Sequence, residues 1–192
     1  MPCDDLHRTA SSCEAIETKA ASEPRGRERL SERQIQASHF SEDVQELIRL
    51  FQEFQVRFLV TGGEAVIFHG YPRYTGDVDF HYDPEVENSK RLFSALLEFW
   101  GGDIPGIQSP EDLTEEGLVL QFGRPPNRVD LLSRVSGVQF EVAWERRIKA
   151  SMNDKELPYL GLADLVAAKK AAGRPKDLQD LLYLTKLLEQ ST

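Results

Sequence analysis

The sequence predicts a mixed α/β (α+β) fold in which helices flank a β-sheet, and three observations carry that expectation. Apolar residues recur at helical spacing in an early, a middle and a C-terminal segment, and a strict two-residue alternation runs from Gly76 to Asp83. Between the helical segments lie short β-rich runs bounded by Gly, Pro, Asn and Ser. The order helix, strand, helix, strand, helix, three strands, helices is that of a sheet covered by helices.

Residues 1–39 are rich in Ser, Glu, Arg and Ala and hold few large apolar side chains. That is too little burial to offset the entropy of ordering them, so a mobile polar tail is expected, with a short helix over Glu28 to Gln36 as the alternative. One domain is expected over residues 40–192, its last part, about 160–190, helical.

Ser41 is a plausible N-cap, followed by Glu42 and Asp43 where acids favour a helix start, with Val44, Leu47, Ile48, Phe51 and Phe54 on one face. A β-rich run from Val56 to Thr61 leads into Gly62-Gly63 and a helical stretch through Phe68 that stops near Gly70 and Pro72. In the strand that follows, Asp77, Asp79, His81 and Asp83 share one face and Val78, Phe80 and Tyr82 the other. Asn88 is read as the cap of a helix with Leu92, Phe93, Leu96, Leu97 and Trp100 as its buried stripe, ending at Gly101-Gly102. Residues 103–116 read as a long surface loop. Leu118 to Phe122, Arg128 to Val135 and Val138 to Val142 read as three strands joined by short turns, hence antiparallel neighbours. A helix over Leu162 to Ala172, a break at Gly173-Arg174-Pro175 and a helix over Lys176 to Glu189 close the chain.

Composition narrows the function. At 192 residues, with 40% hydrophobic and 29% charged, the chain is ordinary for a globular protein, and no apolar run approaches the roughly 20 residues of a membrane span. No membrane association is expected. Met1 to Ala10 carries Asp4, Asp5 and Arg8 and lacks the apolar stretch of a secretory signal, so a cytoplasmic location is expected. Cys3 and Cys13 lie in the polar tail without Cys or His groups spaced for zinc, which indicates neither a disulfide framework nor a metal knuckle. A net charge of −9 argues against binding nucleic acid over the whole surface and leaves room for a local basic patch.

The chemistry concentrates in a few residues. Asp77 and Asp79, two apart on a strand, lie about 6.6 Å apart at the backbone on one side, close enough to share divalent ions and too close to be ionised together at no cost. An isolated pair of this kind is usually a solvated edge. Here Gly62-Gly63 precedes it, between a strand and a helix, where bare backbone N–H groups can meet a phosphate; a plain tight turn is the alternative. Asp130 interrupts an apolar strand, either as a third metal-binding carboxylate or as a structural acid paired with Arg128 or Arg134. Lys169 lies on the apolar face of its helix, where it either snorkels or reaches toward phosphate or the carboxylates. Arg174 and Lys176, with Lys170, form the densest basic cluster, a solvated turn or a phosphate or RNA contact. Arg73 either pairs with Asp77 or touches phosphate. His81, four residues and about 13 Å along the strand from Asp77, is left out of the metal site.

Two stretches carry a resemblance. Val60-Thr61-Gly62-Gly63-Glu64-Ala65 followed by His69-Gly70-Tyr71-Pro72-Arg73-Tyr74-Thr75-Gly76-Asp77-Val78-Asp79 resembles the signature of the nucleotidyltransferase (polymerase β-like) superfamily, nearest its small prokaryotic branch with AbiEii-type toxins. Leu160 to Leu165, Lys169 and Ala172-Gly173-Arg174-Pro175-Lys176-Asp177 resemble the helical end of those relatives, so the likeness spans about residues 41–190.

The resemblance implies a nucleotidyltransferase-like mixed sheet and an enzyme that moves a nucleoside monophosphate from an NTP to a hydroxyl on RNA, protein or a small molecule. Asp77, Asp79 and Asp130 would be catalytic and would hold Mg²⁺ or Mn²⁺, while Gly62, Gly63, Arg73, Lys169, Arg174 and Lys176 would bind the nucleotide. A place in a toxin–antitoxin or phage-defence pair, with a cognate antitoxin as partner, follows from the same likeness. Glu64 departs from the pattern, because an acid in a phosphate-binding turn repels substrate unless it points outward. A non-catalytic nucleotide- and metal-binding module is the alternative; a metal-dependent phosphohydrolase or nuclease is a third reading, disfavoured by the Gly-Gly turn.

Overall fold

The computed structural model describes residues 33–191. Among these residues the elements are α1 (Glu42–Glu53), β1 (Phe58–Thr61), α2 (Gly62–Phe68), β2 (Asp77–Tyr82), α3 (Val86–Phe99), β3 (Val119–Phe122), β4 (Arg128–Leu132), α4 (Phe140–Glu145), β5 (Ile148–Met152), β6 (Lys155–Tyr159), α5 (Leu162–Ala172) and α6 (Pro175–Gln190). The six strands form one mixed sheet in the order β3-β4-β2-β1-β6-β5. The fold is mixed α/β, as expected.

Local chemistry sets several boundaries. Ser41 caps α1 by accepting from the Val44 N–H, with Glu42 and Asp43 in the first turn, and Val44, Leu47, Ile48 and Phe51 are buried. Phe51 meets Phe58 and Phe80 with ring centroids 5.2 and 5.7 Å apart, which fixes α1 on the Phe80 face of β2. Each fully buried aromatic of this cluster contributes on the order of 1.5–3 kcal/mol. Asp77 and Asp79 are thereby turned to the opposite face, where α2 lies against β1 and β2. Gly173, at φ +61, ends α5 in the left-handed conformation, and Pro175 opens α6.

The structure departs from the sequence reading at five places. Val138 to Val142 is not a strand; Phe140–Glu145 forms α4, whose Phe140 and Ala143 are buried and three apart. The hairpin β5–β6 was read as neither strand nor turn, and its Asn153 and Asp154 take positive φ, as the tight turn requires. Asn88 lies inside α3 and is buried, accepting from the Arg57 N–H at 2.6 Å and donating to the Arg57 and Asp83 carbonyls; Glu85 is the cap. Trp100 ends that helix 37% exposed, so only Leu92 and Leu96 of its proposed stripe are fully buried. Residues 103–116 are pinned by buried Ile104, Ile107 and Leu113, and the Leu113 carbonyl accepts from the Tyr82 hydroxyl at 2.9 Å.

Residues 33–39, expected as part of the mobile tail, are instead ordered against the domain. Residues 33–35 run beside β5, Ile35 donating to the Ser151 carbonyl at 2.7 Å and Ser151 to that of Arg33 at 3.0 Å, and a short 3-10 turn spans Ala37–His39. Residues 33–36 are not helical, and residues 1–32, with Cys3 and Cys13, lie outside the described residues. Among the described residues no helix is long and apolar enough to cross a membrane.

Candidate metal centre

The sheet register builds the acidic site. β2 and β4 are parallel neighbours, with Asp79 directly opposite Asp130 and Asp77 opposite Arg128. On its other side Asp79 pairs with Thr61 of β1, so the carboxylate sits at the middle of the sheet, where the strands lead into the Gly62-Gly63 turn. Asp77, Asp79 and Asp130 each offer an oxygen, and the three atoms lie within 4.8 Å of one another. This is the spacing of groups around one shared cation, and an all-oxygen set suits a hard divalent ion such as Mg²⁺ or Mn²⁺.

The turn is shaped around the acids. Gly62 sits at φ +59, and a Cβ there would fall 1.7 Å from Asp79 Oδ2, while a Cβ at Gly63 would fall 2.2 Å from Thr75 Oγ1. The glycines therefore allow Asp79 and Thr75 to close onto the turn, where the Gly63 N–H donates to Asp79. Thr75 in turn donates its hydroxyl to Asp77 Oδ1 at 2.9 Å, and Gln121 of β3 donates to Asp130 Oδ2 at 3.1 Å.

Charge around the triad is unbalanced. Arg128 donates Nε to Asp130 Oδ1 at 2.9 Å and a terminal nitrogen to Asp130 Oδ2 at 3.0 Å and to Asp77 Oδ2. Burial, with Asp77 and Asp130 alongside, pushes the Asp79 carboxyl from 3.8 up to about 6, although Lys176 and the Gly63 N–H favour its ionised form. A group so placed becomes easier to ionise when a cation enters.

The basic residues form an inner cluster and an outer rim, with Arg174 common to both. Lys169, 4% exposed, lies 2.9 Å from both Asp177 and Asp180, which are themselves buried. Arg73 pairs with Asp180 at 2.8 Å and Arg174 with Asp177 at 2.7 Å. Lys169 thus neither snorkels nor faces the sheet as a free cation; it ties α5 to α6, and Arg73 ties the approach to β2 into the same cluster. Burial opposes ionisation of Asp177, but hydrogen bonds from Arg174 and Lys169 outweigh it and bring the carboxyl down to about 2. Lys176 is exposed and close enough to favour ionised Asp79, and the ionised Asp79 and Asp77 likewise favour the charged form of the largely exposed Arg174. Those two side chains form a basic rim beside the triad.

His81 is buried, its Nδ1 3.0 Å from the Leu132 carbonyl and its ring edge-on to Phe140, which leaves it outside the metal centre. Glu64 is buried and bonded to His39 Nε2 at 2.7 Å, a hydrogen bond that raises the His39 pKa. Glu64, an acid expected to be awkward beside a phosphate-binding turn, is therefore held by His39, which precedes α1.

The structure brings Gly62, Gly63, Asp77, Asp79 and Asp130 together and sets Arg174 and Lys176 beside them. Thr75, Gln121, Asp177 and Asp180 were not among the site residues expected from sequence, and Arg128 was named only as a possible partner of Asp130, which it is. Arg128 had a usable signal, since two residues apart on a strand it must share a face with Asp130. Asp177 and Asp180, three apart in α6, share a helix face, but nothing in the sequence pairs them with Lys169. No protein-family model matches this chain, and no curated protein is found to be similar to it.

Proposed function

We propose that the protein is a divalent-cation-dependent nucleotidyltransferase that moves a nucleoside monophosphate from an NTP to an acceptor hydroxyl on RNA, protein or a small molecule. The observation that carries this reading is the triad itself. Three carboxylates on adjacent parallel strands have ligand oxygens within 4.8 Å of one another, beside a glycine turn that closes onto Asp79. Mg²⁺ or Mn²⁺, when bound there, would supply Lewis-acid polarisation of the triphosphate and neutralise charge developing on it.

In this scheme Asp77 and Asp79 hold the cation, Thr75 and the Gly63 N–H keep the two carboxylates in place, and Lys176 and Arg174 meet the outer phosphates. Asp130 accepts the proton of the acceptor hydroxyl as its oxygen bonds to the α-phosphorus; the bond from that phosphorus to the bridging oxygen breaks, and pyrophosphate leaves. Arg73 and Lys169 act one step further out, by fixing the segment before β2 against α6. A toxin–antitoxin or phage-defence role and a cognate antitoxin rest on the sequence resemblance alone.

The test is incubation with each α-labelled NTP, Mg²⁺ and cell RNA or lysate. Wild-type protein should label a discrete species and release pyrophosphate. Asp130→Asn should keep measurable Mg-NTP affinity yet lose about two to four decades of transfer, about 3–5 kcal/mol, as expected for removal of a general base. Equal transfer by Asp130→Asn would reduce Asp130 to a structural strand residue. One observation favours the alternative, a binding module without turnover: Arg128 already bonds two of the three carboxylates. Mg-NTP binding without pyrophosphate release would select that reading.

A further inference from the structure

Arg128 lies opposite Asp77 and two residues before Asp130, so the pleat of β4 directs its side chain to the face that bears the triad. There its Nε and one terminal nitrogen make two bonds to Asp130 and one to Asp77, while Asp79 takes the Gly63 N–H instead. The side chain is nevertheless 30% exposed, and its anchor β4 is entered from the Arg124–Asn127 turn, so the guanidinium can leave the acids without disturbing the core. A guanidinium that bonds both oxygens of Asp130 and one of Asp77 competes with a divalent cation for those oxygens, and the cation carries the larger charge.

We propose that Arg128 is the resident counter-ion of the metal-free site, displaced from Asp77 and Asp130 by the incoming divalent cation, and that it then holds phosphate oxygens of the substrate arriving with that cation. The inference rests on reading the triad as a cation site. The planar fork that now grips a carboxylate from two directions has the geometry to grip a phosphate bidentately, and a released arginine at the rim is attracted to the triphosphate. One side chain would thereby link cation loading to phosphate capture, and a bare site would be guarded against a loosely bound ion.

The two halves of the proposal predict opposite signs for one substitution. Mn²⁺ alone, titrated into full-length protein, should bind Arg128→Gln about tenfold more tightly than wild type, the scale of losing a competing charge-assisted hydrogen-bond pair. Inorganic tripolyphosphate at saturating Mg²⁺ should bind the same variant about tenfold more weakly. Arg128→Lys, which keeps the charge and loses the fork, identifies the Arg128 Nε–H resonance in wild-type spectra by its disappearance. That resonance should shift when Mg²⁺ is added and shift again with tripolyphosphate, a readout that needs no stable neutral variant. Unchanged or weaker Mn²⁺ affinity in Arg128→Gln, unchanged tripolyphosphate affinity, or an Nε–H signal indifferent to Mg²⁺ overturns the proposal. If Mn²⁺ binding is lost in Asp77→Asn with Asp79→Asn but ignores Arg128→Gln, the role of Arg128 alone fails. If wild type and that double variant bind Mn²⁺ equally, the cation site itself fails and the proposal falls with it.

Discussion

Two clusters of acids and bases lie near the start of α6, and they are built on opposite plans. In the α5–α6 cluster, Asp177 and Asp180 are buried among Lys169, Arg73 and Arg174, so every carboxylate has a cation within ion-pair distance. In the β2–β4 cluster, Asp77, Asp79 and Asp130 converge on one another, and Arg128 serves only two of them. The first arrangement holds helices together; the second leaves negative charge that an external cation can satisfy. Identical chemical groups thus form a lock in one place and, on the proposed reading, a receptor in the other, the local balance of charge making the difference.

The pH dependence of the two should differ in sign. Asp177, brought down to about 2 from 3.8, contributes stability that is present above the ordinary value and is lost as pH falls toward 2. Asp79, raised from 3.8 to about 6, binds its proton more tightly folded than unfolded, so metal-free stability falls as pH rises from about 4 through 6.

The largest expected effect is on the lock. Lys169→Met should destabilise the fold by about 3–5 kcal/mol, because it removes one partner from a buried cluster and leaves the carboxylates of Asp177 and Asp180 short of charge. Denaturant unfolding would measure it; a loss below about 1 kcal/mol would show that Arg73 and Arg174 suffice. The opposite sign is expected at the receptor. Asp79→Asn should stabilise the metal-free protein near pH 7.5 by up to about 3 kcal/mol, the free energy equivalent of its raised pKa, and the gain should vanish near pH 4. A destabilised Asp79→Asn at neutral pH would mean that Asp79 is a structural acid like Asp177. A smaller loss is expected at the turn between them. Gly62→Ala places a side chain at φ +59 against Asp79, so stability should fall by about 1–3 kcal/mol and any thermal response to Mn²⁺ should shrink with it. A full Mn²⁺ response in Gly62→Ala would show that the turn does not set the position of Asp79.

Legibility in the sequence followed the same division. The receptor could be read because its parts are local: Asp77 and Asp79 share a strand face by the pleat alone, and Asp130 stood out as a charge in an apolar run. Helices α1 and α5 were equally plain, since a cap or a left-handed glycine marks their ends. The lock was not legible, because Lys169 has the same spacing whether it meets phosphate, solvent or the Asp177 and Asp180 carboxylates, and only the packing of α6 decides. The β5–β6 hairpin escaped because its turn, Asn153-Asp154, lacks glycine and its strands carry the exposed charges Lys149, Lys155 and Glu156, the adjacent Lys155 and Glu156 breaking the apolar alternation. Residues 138–142 misled because Val138, Phe140 and Val142 alternate like a strand, whereas the fold buries Phe140 and Ala143 instead.

The contrast between lock and receptor is tested most directly by the thermal response to Mn²⁺ at pH 7.5. Wild-type protein should melt higher as Mn²⁺ is added, since an ion that binds only the folded state stabilises it in proportion to the logarithm of its concentration. Asp77→Asn combined with Asp79→Asn should melt higher than wild type without metal and should not respond to Mn²⁺, while Lys169→Met should melt lower and still respond. A double variant that keeps the wild-type response, or a wild type that shows none, would contradict the assignment of Asp77, Asp79 and Asp130 as a cation site.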